Sequence, residues 1–351
     1  MISFNLIFFQ DNLIFIFSTI LSLLSILIYK YIIDKKFFTT DSHDGPQKIH
    51  ISPTSRIGGG VIYLLFFLVS LIFFFKKELI EFIIITLGFL IIFFISLKED
   101  ISEPTNPILR LLLIFIASLF YILMTKTNFV FETKFIGPFL NIKIIQIVFL
   151  VLIISTVING FNIFDGSNGH CSLIGILYLI IILIISYKSN FIDLFYLLIP
   201  FISLIFIFLI FNFPKGLIFL GDTGAYLIGW ITSLSIIYLL KNNKEISEII
   251  FLNILFYPLM ETIFSFVRKI MSGKSPFKPD KKHLHLKMIY FLKNKGFKNY
   301  NSLNTLYLSG VWFFPVIFVP FIFTDKVYLI FLLLFQICIY LLNYFIIIKK
   351  N

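Results

Sequence analysis

The chain has 351 residues, of which 59% are hydrophobic and 13% are charged, and its formal net charge is +11. Because soluble domains carry about 25% charged residues, the composition excludes an ordinary soluble protein and indicates an integral membrane protein. The positive charge requires no nucleic-acid partner, since the cytoplasmic loops of membrane proteins are rich in Lys and Arg and face anionic lipid head groups. The partner that the composition predicts is the lipid bilayer.

Eleven apolar segments approach the length of about 20 residues that a helix needs to cross a bilayer. We therefore predict one all-α, polytopic membrane domain over residues 1–351, with ten or eleven transmembrane helices. The shortest apolar run, Leu111–Met124, is the weakest candidate, and the count is ten without it. The eleven segments are Leu13–Ile33, Gly59–Phe75, Leu79–Leu97, Leu111–Met124, Ile144–Ile158, Ser172–Tyr187, Phe195–Phe211, Ala225–Leu240, Ile249–Phe266, Leu303–Phe323 and Val327–Ile348.

The distribution of Lys and Arg predicts the orientation of these helices. About 20 of the 29 basic residues fall in alternate connecting segments, and ten of them lie between Arg268 and Asn301. The positive-inside rule makes that side cytoplasmic, with the N-terminus outside and the C-terminus in the cytoplasm. The long polar loops share this side. Cys171 and Cys338 have no metal or redox spacing, and we expect both to pack in the core.

The most informative loop is the polar, glycine-rich run Asn159-Gly-Phe-Asn162-Ile-Phe-Asp165-Gly-Ser-Asn168-Gly169. Polar groups between two membrane spans are costly and are usually functional. On a helix, Asn159, Asn162 and Asp165 would lie within an arc of about 120°. Their amide groups both donate and accept hydrogen bonds, which suits recognition of a nucleobase, a ribose or a sugar amide. Polar packing between helices is the alternative.

Further carboxylates lie at the ends of other spans. Glu99 and Asp100 are adjacent, so a cation or a proton must compensate their repulsion if they are confined, and Mg²⁺ is the fitting cation. An ordinary solvated helix end with Lys98 as partner is the alternative. Asp222, in Phe219-Leu-Gly-Asp222-Thr-Gly224, could ligate a metal or cap a helix, and Phe219 could stack on a base.

Two basic loops complete the candidate site. The first contains Lys48 and Arg56, which could contact a phosphate, followed by three glycines that allow close approach of backbone to a ligand or that simply start a helix. The other contains His283 and His285, which share a face only in extended backbone. Beside three lysines they suit phosphate better than zinc, and a surface basic loop is the alternative. Glu261 lies within a span and should face the bundle interior, where it could pair with a basic group.

Taken together, these segments resemble the polyprenyl-phosphate N-acetylhexosamine-1-phosphate transferase family, or glycosyltransferase family 4. The resemblance runs from about Asp44 to Leu286 and rests on D-G-P-x-K-x-H…R-x-G-G, E-D, N-x-x-N-x-x-D-G-x-N-G, F-x-G-D-x-G and P-x-x-x-H-x-H in this order. The family contains enzymes that start O-antigen and related glycans, and also the phospho-N-acetylmuramoyl-pentapeptide transferase of peptidoglycan synthesis.

The resemblance implies transfer of a sugar-1-phosphate from a UDP-amino sugar to a polyprenyl phosphate, with release of UMP, at the cytoplasmic face of a bacterial inner membrane. Mg²⁺, or Mn²⁺ in its place, is the implied cofactor, and a homodimer is left open. Asp222 is implied as the first metal ligand, and Asp100, with Glu99, as a further ligand or as the group that positions the lipid phosphate or removes a proton. The residues implied for nucleotide-sugar binding are Asn159, Asn162, Asp165, Asn168 and Phe219. Those implied for phosphate contacts are His283 and His285, supported by Lys48 and Arg56.

The chain departs from the family pattern at three places. Glu99 stands where many members have aspartate, Leu286 where a further histidine is usual, and His170-Cys171 where Leu-Ala often follows. The Glu99-Asp100 and Asn168 forms favour the glycan-initiating branch over the peptidoglycan branch. Two other classes are a secondary transporter, whose site would lie near the bilayer midplane and often within internal repeats, and a catalytically silent relative that acts as a scaffold.

Overall fold

The computed structural model describes residues 2–36, 54–77, 80–102, 105–133, 137–275 and 282–350. Within these ranges the chain is α-helical, with no strand, which confirms the all-α prediction. The helices are α1 (Ile2–Lys35), α2 (Gly58–Lys77), α3 (Ile80–Ile101), α4 (Pro107–Met124), α5 (Gly137–Leu140), α6 (Lys143–Phe164), α7 (His170–Lys188), α8 (Ile192–Asn212), α9 (Gly221–Asn242), α10 (Ile249–Ile254), α11 (Phe256–Met271), α12 (Leu284–Asn294), α13 (Tyr300–Val316), α14 (Val319–Ile322) and α15 (Lys326–Lys350).

Ten helices of the described ranges are long and apolar enough to cross a membrane. The segment that the sequence made doubtful, Leu111–Met124, is one of them and extends back to Pro107. The remaining predicted segment, Ile249–Phe266, is divided at Leu255 into α10 and α11. These two short helices together return the chain from the end of α9 to the face where α9 began, so the described residues cross the bundle eleven times.

Helix α9 forms the centre of the bundle. Nearly all of its residues are buried, and it packs against α2, α3, α6 and α7. Its sequence, GDTGAYLIGWITSLSIIYLLKN, is less apolar than the other spans and contains several Gly, Ser and Thr residues. Small residues allow helix backbones to approach closely in a membrane, where packing rather than hydrophobicity holds helices together. Many large apolar side chains of the surrounding helices are exposed on the outside of the bundle.

The close approach of α2 to α9 occurs at two glycines. A Cβ added to Gly59 would lie 2.0 Å from the backbone nitrogen of Gly224, so only glycine fits at this contact. The Gly59 N–H donates to the Leu220 carbonyl at 2.8 Å, and the Gly58 N–H donates to the Phe219 carbonyl at 3.1 Å. The glycine cluster therefore packs the first turn of α2 against the loop before α9, and the interpretation that it approaches a ligand does not fit these contacts.

The helix ends sort into two faces of the bundle. On one face the Tyr29 hydroxyl near the end of α1 donates to the Gly58 carbonyl at 3.2 Å, at the start of α2. On the other face, Lys241 at the end of α9 pairs with Glu81 at the start of α3, at 3.0 Å. Helix α15 starts on this second face, where Lys326 pairs with Glu132 and Glu248. The predicted site residues of the described ranges lie on the first face.

The two cysteines have different environments. Cys171 is buried in the first turn of α7, as expected. Cys338 on α15 is exposed on the outside of the bundle, so its assignment to the core was wrong. Cys338 lies on the outward-facing side of α15. Both sides of a membrane helix are apolar, so the sequence pattern does not show which side is buried.

Candidate functional site

Four loops and the helix ends that flank them meet on the first face of the bundle. Asp100 and Arg110 flank the loop between α3 and α4, Asp165 follows α6, Asp222 lies in the first turn of α9, and His283 precedes α12. Each of these residues lies at or beside the end of a helix, and the position of that helix end sets how far the residue lies from the centre of the bundle. The scattered polar groups of the sequence therefore form one layer at the end of the bundle.

Asp222 is held by two arginines. Its Oδ1 accepts from Arg56 Nη2 at 3.2 Å, and its Oδ2 accepts from Arg110 Nη1. It is the second residue of α9 and does not precede the helix, so the alternative of a helix N-cap is wrong. Two charge-assisted hydrogen bonds hold this carboxylate, and about 12% of its side chain is exposed. The carboxylate thus remains accessible from the face.

Asp100 has a different environment. Its Oδ1 accepts the backbone N–H of Asp222 at 2.7 Å, and its Oδ2 accepts the backbone N–H of Thr223 at 3.0 Å. Its side chain has no exposed surface (0%), and Arg56 lies 3.9 Å from Oδ1. The first N–H groups of a helix have no partner inside the helix, so the Asp100 carboxylate caps α9 from another helix.

Gly221 makes this cap possible. Its φ is +74°, and a Cβ at this position would lie 2.5 Å from Asp100 Oδ1 and 2.2 Å from the Arg56 carbonyl. Only glycine combines this backbone conformation with so close a neighbour. The Gly-Asp dipeptide at 221–222 therefore places Asp222 directly beside the carboxylate that caps its helix.

Glu99 and Arg110 complete the acidic part of the site. Arg110 Nη1 lies 3.6 Å from Glu99 Oε1, and Glu99 Oε2 accepts the Thr105 N–H. Glu99 thus orders the loop before α4, and the alternative of a solvated helix end with Lys98 as its partner does not fit these contacts. Sequence reasoning missed Arg110 as a site residue. The available signal was a single arginine in the first turn of a span, three residues after Pro107.

Asp165 belongs to the same charged group. It follows the last residue of α6 with φ −73° and ψ 60°, so it lies beyond the helical arc that Asn159 and Asn162 share. Burial, together with repulsion from Asp222, raises its pKa to about 7, and Arg56 acts in the opposite direction. The charge on Asp165 therefore depends on which cations and phosphates occupy the site near neutral pH.

The asparagines of the glycine-rich run have two kinds of environment. Asn159 and Asn162 are half-buried on α6, and Asn159 Nδ2 donates to the Ser155 carbonyl at 2.8 Å. Asn168 is buried, and its Nδ2 donates to the Pro214 carbonyl at 3.0 Å. Its backbone N–H donates to Asn301 Oδ1, also at 3.0 Å. Asn168 therefore ties the loop before α7 to the loop before α9 and to α13.

The basic first loop lies only partly within the described residues. Lys48 and the residues around it, 37–53, fall outside them, whereas Arg56 is described and contacts Asp222. Phe219 is half-buried, and its backbone N–H donates to the Ser55 carbonyl at 2.8 Å. The first loop and the loop before α9 are therefore joined at Phe219, which lies three residues before Asp222.

The two histidines stack face to face. His283 has extended backbone, with φ −70° and ψ 148°, and His285 lies in the first turn of α12. Their ring centroids are 5.8 Å apart with an interplanar angle of 20°, so the two rings are neighbours although only His283 has extended backbone. A Cβ added at Gly166 would lie 2.5 Å from His285 Nε2, which places this ring against the residue after Asp165.

Both histidines are buried, so the alternative of an exposed surface loop is wrong for them. Burial, with smaller contributions from His283 and His170, lowers the pKa of His285 well below its usual range, so this ring is neutral at pH 7. His170, one of the departures from the family pattern, is also buried, with Nε2 3.4 Å from the Tyr257 hydroxyl.

A divalent cation would need oxygen ligands from the side chains of this face. The described residues contain no cluster of three His, Cys, Asp or Glu side chains that could hold a metal ion. Mg²⁺, however, is usually bound by one or two carboxylates together with water and substrate phosphates. Asp222, which is partly exposed, fits such a site. Asp100 fits it less well, because both of its oxygens already accept backbone N–H groups.

Comparisons with known proteins agree with this geometry. The sequence model described as glycosyl transferase family 4 matches residues 82–240, which include Glu99, Asp100, Asp165 and Asp222. A probable undecaprenyl-phosphate N-acetylglucosaminyl 1-phosphate transferase of Bacillus subtilis is 26% identical over 297 residues, covering 84% of this chain and 81% of that protein. An undecaprenyl-phosphate alpha-N-acetylglucosaminyl 1-phosphate transferase of Thermotoga maritima is 30% identical over 138 residues, 39% of this chain and 41% of its own.

The peptidoglycan branch is also represented. A phospho-N-acetylmuramoyl-pentapeptide-transferase of Staphylococcus carnosus is 26% identical over 295 residues, covering 79% of this chain and 88% of that protein. The matches to the Bacillus subtilis and Staphylococcus carnosus proteins each cover more than three quarters of this chain. The chain is therefore similar to both branches, and its residues 82–240 match the model of glycosyl transferase family 4.

Proposed function

We propose that this protein transfers the sugar-1-phosphate of a UDP-N-acetylamino sugar to undecaprenyl phosphate, with release of UMP, and thereby starts a lipid-linked glycan. The observation that carries the proposal is Asp222, a partly exposed carboxylate held by Arg56 and Arg110 at the end of a membrane bundle. The family model matches residues 82–240, which contain Asp222, and two of the similar proteins are named for undecaprenyl phosphate.

The reaction joins two anions at a membrane surface. An oxygen of the lipid phosphate attacks the β-phosphorus of the UDP-sugar, and the bond from this phosphorus to the bridging oxygen breaks, so that UMP leaves with that oxygen. A phosphomonoester has a second pKa of about 6, so the lipid phosphate is largely a dianion at pH 7 and needs little help from a base. The main task of the protein is to neutralise and align the phosphates.

The charged residues suit this task. Arg56 and Arg110 present guanidinium groups beside Asp222, and guanidinium binds phosphate through paired hydrogen bonds. We propose that Asp222 holds Mg²⁺, which neutralises charge on the pyrophosphate when it is bound. Asp100 then sets the position of Asp222 by capping its helix, while Lys48, outside the described residues, and the histidine pair are proposed to contact phosphate.

The nucleotide-sugar is proposed to lie along the end of α6. Asn159, Asn162 and Asp165 are half-buried on or next to this helix end, where amide and carboxyl groups can meet a uracil, a ribose or an acetamido group. Phe219 offers an aromatic face nearby. The hydrogen bonds of Asn168 connect two loops with α13. We therefore propose that Asn168 maintains the shape of this region and does not contact the nucleotide-sugar directly.

The test is an assay of the purified protein in detergent with undecaprenyl phosphate and Mg²⁺. UDP-N-acetylglucosamine and UDP-MurNAc-pentapeptide are supplied separately, and UMP release is measured. We expect release with the first donor and loss of release when Mg²⁺ is chelated. Release with the pentapeptide donor alone would assign the chain to the peptidoglycan branch, and no release with a panel of UDP-amino sugars would refute a transferase.

We further propose that the charged face is cytoplasmic in a bacterial inner membrane, with the N-terminus outside and the C-terminus inside. The excess of Lys and Arg in the loops on this side supports the orientation. Lys215 and Lys244 are exposed and lie at opposite ends of α9. In a background with Cys338 replaced by serine, a membrane-impermeant thiol reagent on intact cells should label K244C and not K215C, and the opposite result would reverse the orientation.

A further inference from the structure

Glu261 is a carboxylate in the middle of α11 with 1% of its surface exposed. An ionised carboxyl group inside a membrane bundle is costly unless hydrogen bonds and charges compensate it. The reaction described above gives it no role. Its contacts therefore indicate what it does in the folded protein.

Three groups from two parts of the chain donate to this carboxylate. His283 Nδ1 lies 3.3 Å from Glu261 Oε2, the Leu284 N–H donates to Oε1 at 3.3 Å, and the Tyr340 hydroxyl donates to Oε1 at 3.4 Å. Leu284 is the first residue of α12 and Tyr340 belongs to α15. The carboxylate thus fixes the start of α12 and the ring of the residue before it.

The contact with Nδ1 determines which ring nitrogen of His283 carries a proton. A carboxylate accepts and does not donate, so the proton of the pair lies on Nδ1. The other nitrogen, Nε2, is on the opposite edge of the ring. In catalytic and metal-binding histidines, a carboxylate on one nitrogen sets the orientation and the tautomer of the ring in the same way.

The histidine pair connects this arrangement to the charged face. His283 stacks on His285 at 5.8 Å, and His285 lies against Gly166, the residue after Asp165. A change in the orientation of His283 would therefore be transmitted to the loop that carries Asp165. The rings of His283 and His285 therefore lie between Glu261 and the charged face.

We infer that Glu261 is a positioning residue of the transferase: it holds His283 with its proton on Nδ1 and its Nε2 edge directed away from α11, for contact with a substrate phosphate. The inference rests on the proposed function for its effect on turnover. The geometry of the Glu261–His283 pair itself can be measured without turnover, so the two can fail separately.

The first measurement is ¹⁵N NMR of the purified protein labelled at histidine. The chain has five histidines, and a His283→Asn variant identifies the signals of His283. We expect Nδ1 of His283 to be protonated in the wild-type protein, either alone or together with Nε2. A wild-type ring protonated at Nε2 alone overturns the inference, and this result does not depend on whether any Glu261 variant folds.

The second measurement compares three variants in the UMP-release assay. Glu261→Met removes the acceptor, Glu261→Gln keeps an acceptor oxygen without the charge, and Tyr340→Phe removes another hydrogen bond of the same carboxylate without touching His283. We expect Glu261→Met to lose the Nδ1 proton preference and at least about tenfold in kcat/KM, the lower end of the effect of removing outer-shell partners of functional histidines. Glu261→Gln should recover part of this loss, and Tyr340→Phe should keep both properties.

Each outcome bears on one hypothesis. Unchanged His283 signals and unchanged kcat/KM in Glu261→Met overturn the positioning role. Equal losses in Tyr340→Phe and Glu261→Met show a general packing effect and also overturn it. An absence of UMP release from the wild-type protein, with the Nδ1 proton present as expected, refutes the proposed function while the Glu261–His283 geometry stands.

Discussion

Replacement of Asp100 by asparagine separates a structural from a metal-binding carboxylate. In the wild-type protein the two oxygens of Asp100 accept the N–H groups of Asp222 and Thr223 at 2.7 and 3.0 Å. Asparagine keeps one carbonyl oxygen and places an NH₂ group where the second acceptor was. One N–H of the first turn of α9 then faces a donor inside the bundle, where the side chain at position 100 has no exposed surface.

The size of the effect follows from these contacts. A buried donor left without a partner costs about 1–3 kcal/mol, and loss of a helix N-cap costs about 0.5–2 kcal/mol. These two figures describe the same lost bond and are not added. Loss of the attraction to Arg56, 3.9 Å from Asp100, acts in the same direction, whereas relief of repulsion from Asp222 acts against it. We therefore expect Asp100→Asn to lower the free energy of unfolding by about 1–3 kcal/mol.

The assay is thermal unfolding in detergent, with and without Mg²⁺ and UMP. A ligand at about 100 times its Kd stabilises the folded state by about 2.7 kcal/mol. Asp100→Asn should start from a lower Tm and still be stabilised by Mg²⁺ with UMP. Asp222→Asn, the matched control in the same turn, should lose this stabilisation.

The opposite pattern would refute the reasoning. If Asp100→Asn keeps the wild-type Tm without ligand and loses the response to Mg²⁺ with UMP, Asp100 is a metal ligand and its bonds to α9 contribute little. If Asp222→Asn retains the response, Asp222 is not the ligand, and the assignment of the metal fails.

Three further outcomes are expected. Asp222→Asn should abolish UMP release, and normal turnover would remove Asp222 from the mechanism. Because the pKa of Asp165 is raised to about 7, the folded state loses stability as pH rises from about 4 through 7. Without ligand, the Tm of Asp165→Asn should therefore rise relative to the wild-type Tm between pH 5 and pH 8. A Tm difference that stays constant over this pH range would contradict the raised pKa. Gly59→Ala should cost about 1–3 kcal/mol through the clash with Gly224, seen as a lower Tm, whereas Gly310→Ala on α13, with open space around it, should leave the Tm unchanged or raise it.

The membrane class and most of the spans could be predicted because they depend on local properties. A run of apolar residues of sufficient length identifies a helix wherever its neighbours are, and this rule found the weak segment at Leu111–Met124. The rule fails to show the break at Leu255, because the residues on both sides of it are apolar. It also fails for Cys338, since burial depends on which stripe of α15 faces the bundle.

The sequence by itself determined that the polar residues stand at helix ends on one face, because loops alternate between the two sides of a membrane. Only the tertiary structure decided which of them touch. Asp100 caps a helix that begins 121 residues later, and Asp222 pairs with an arginine 112 residues before it. Such bonds depend on distances between helices that no local pattern encodes. The same reason explains why Arg110, and the contact of Glu261 with His283, became apparent only in the folded chain.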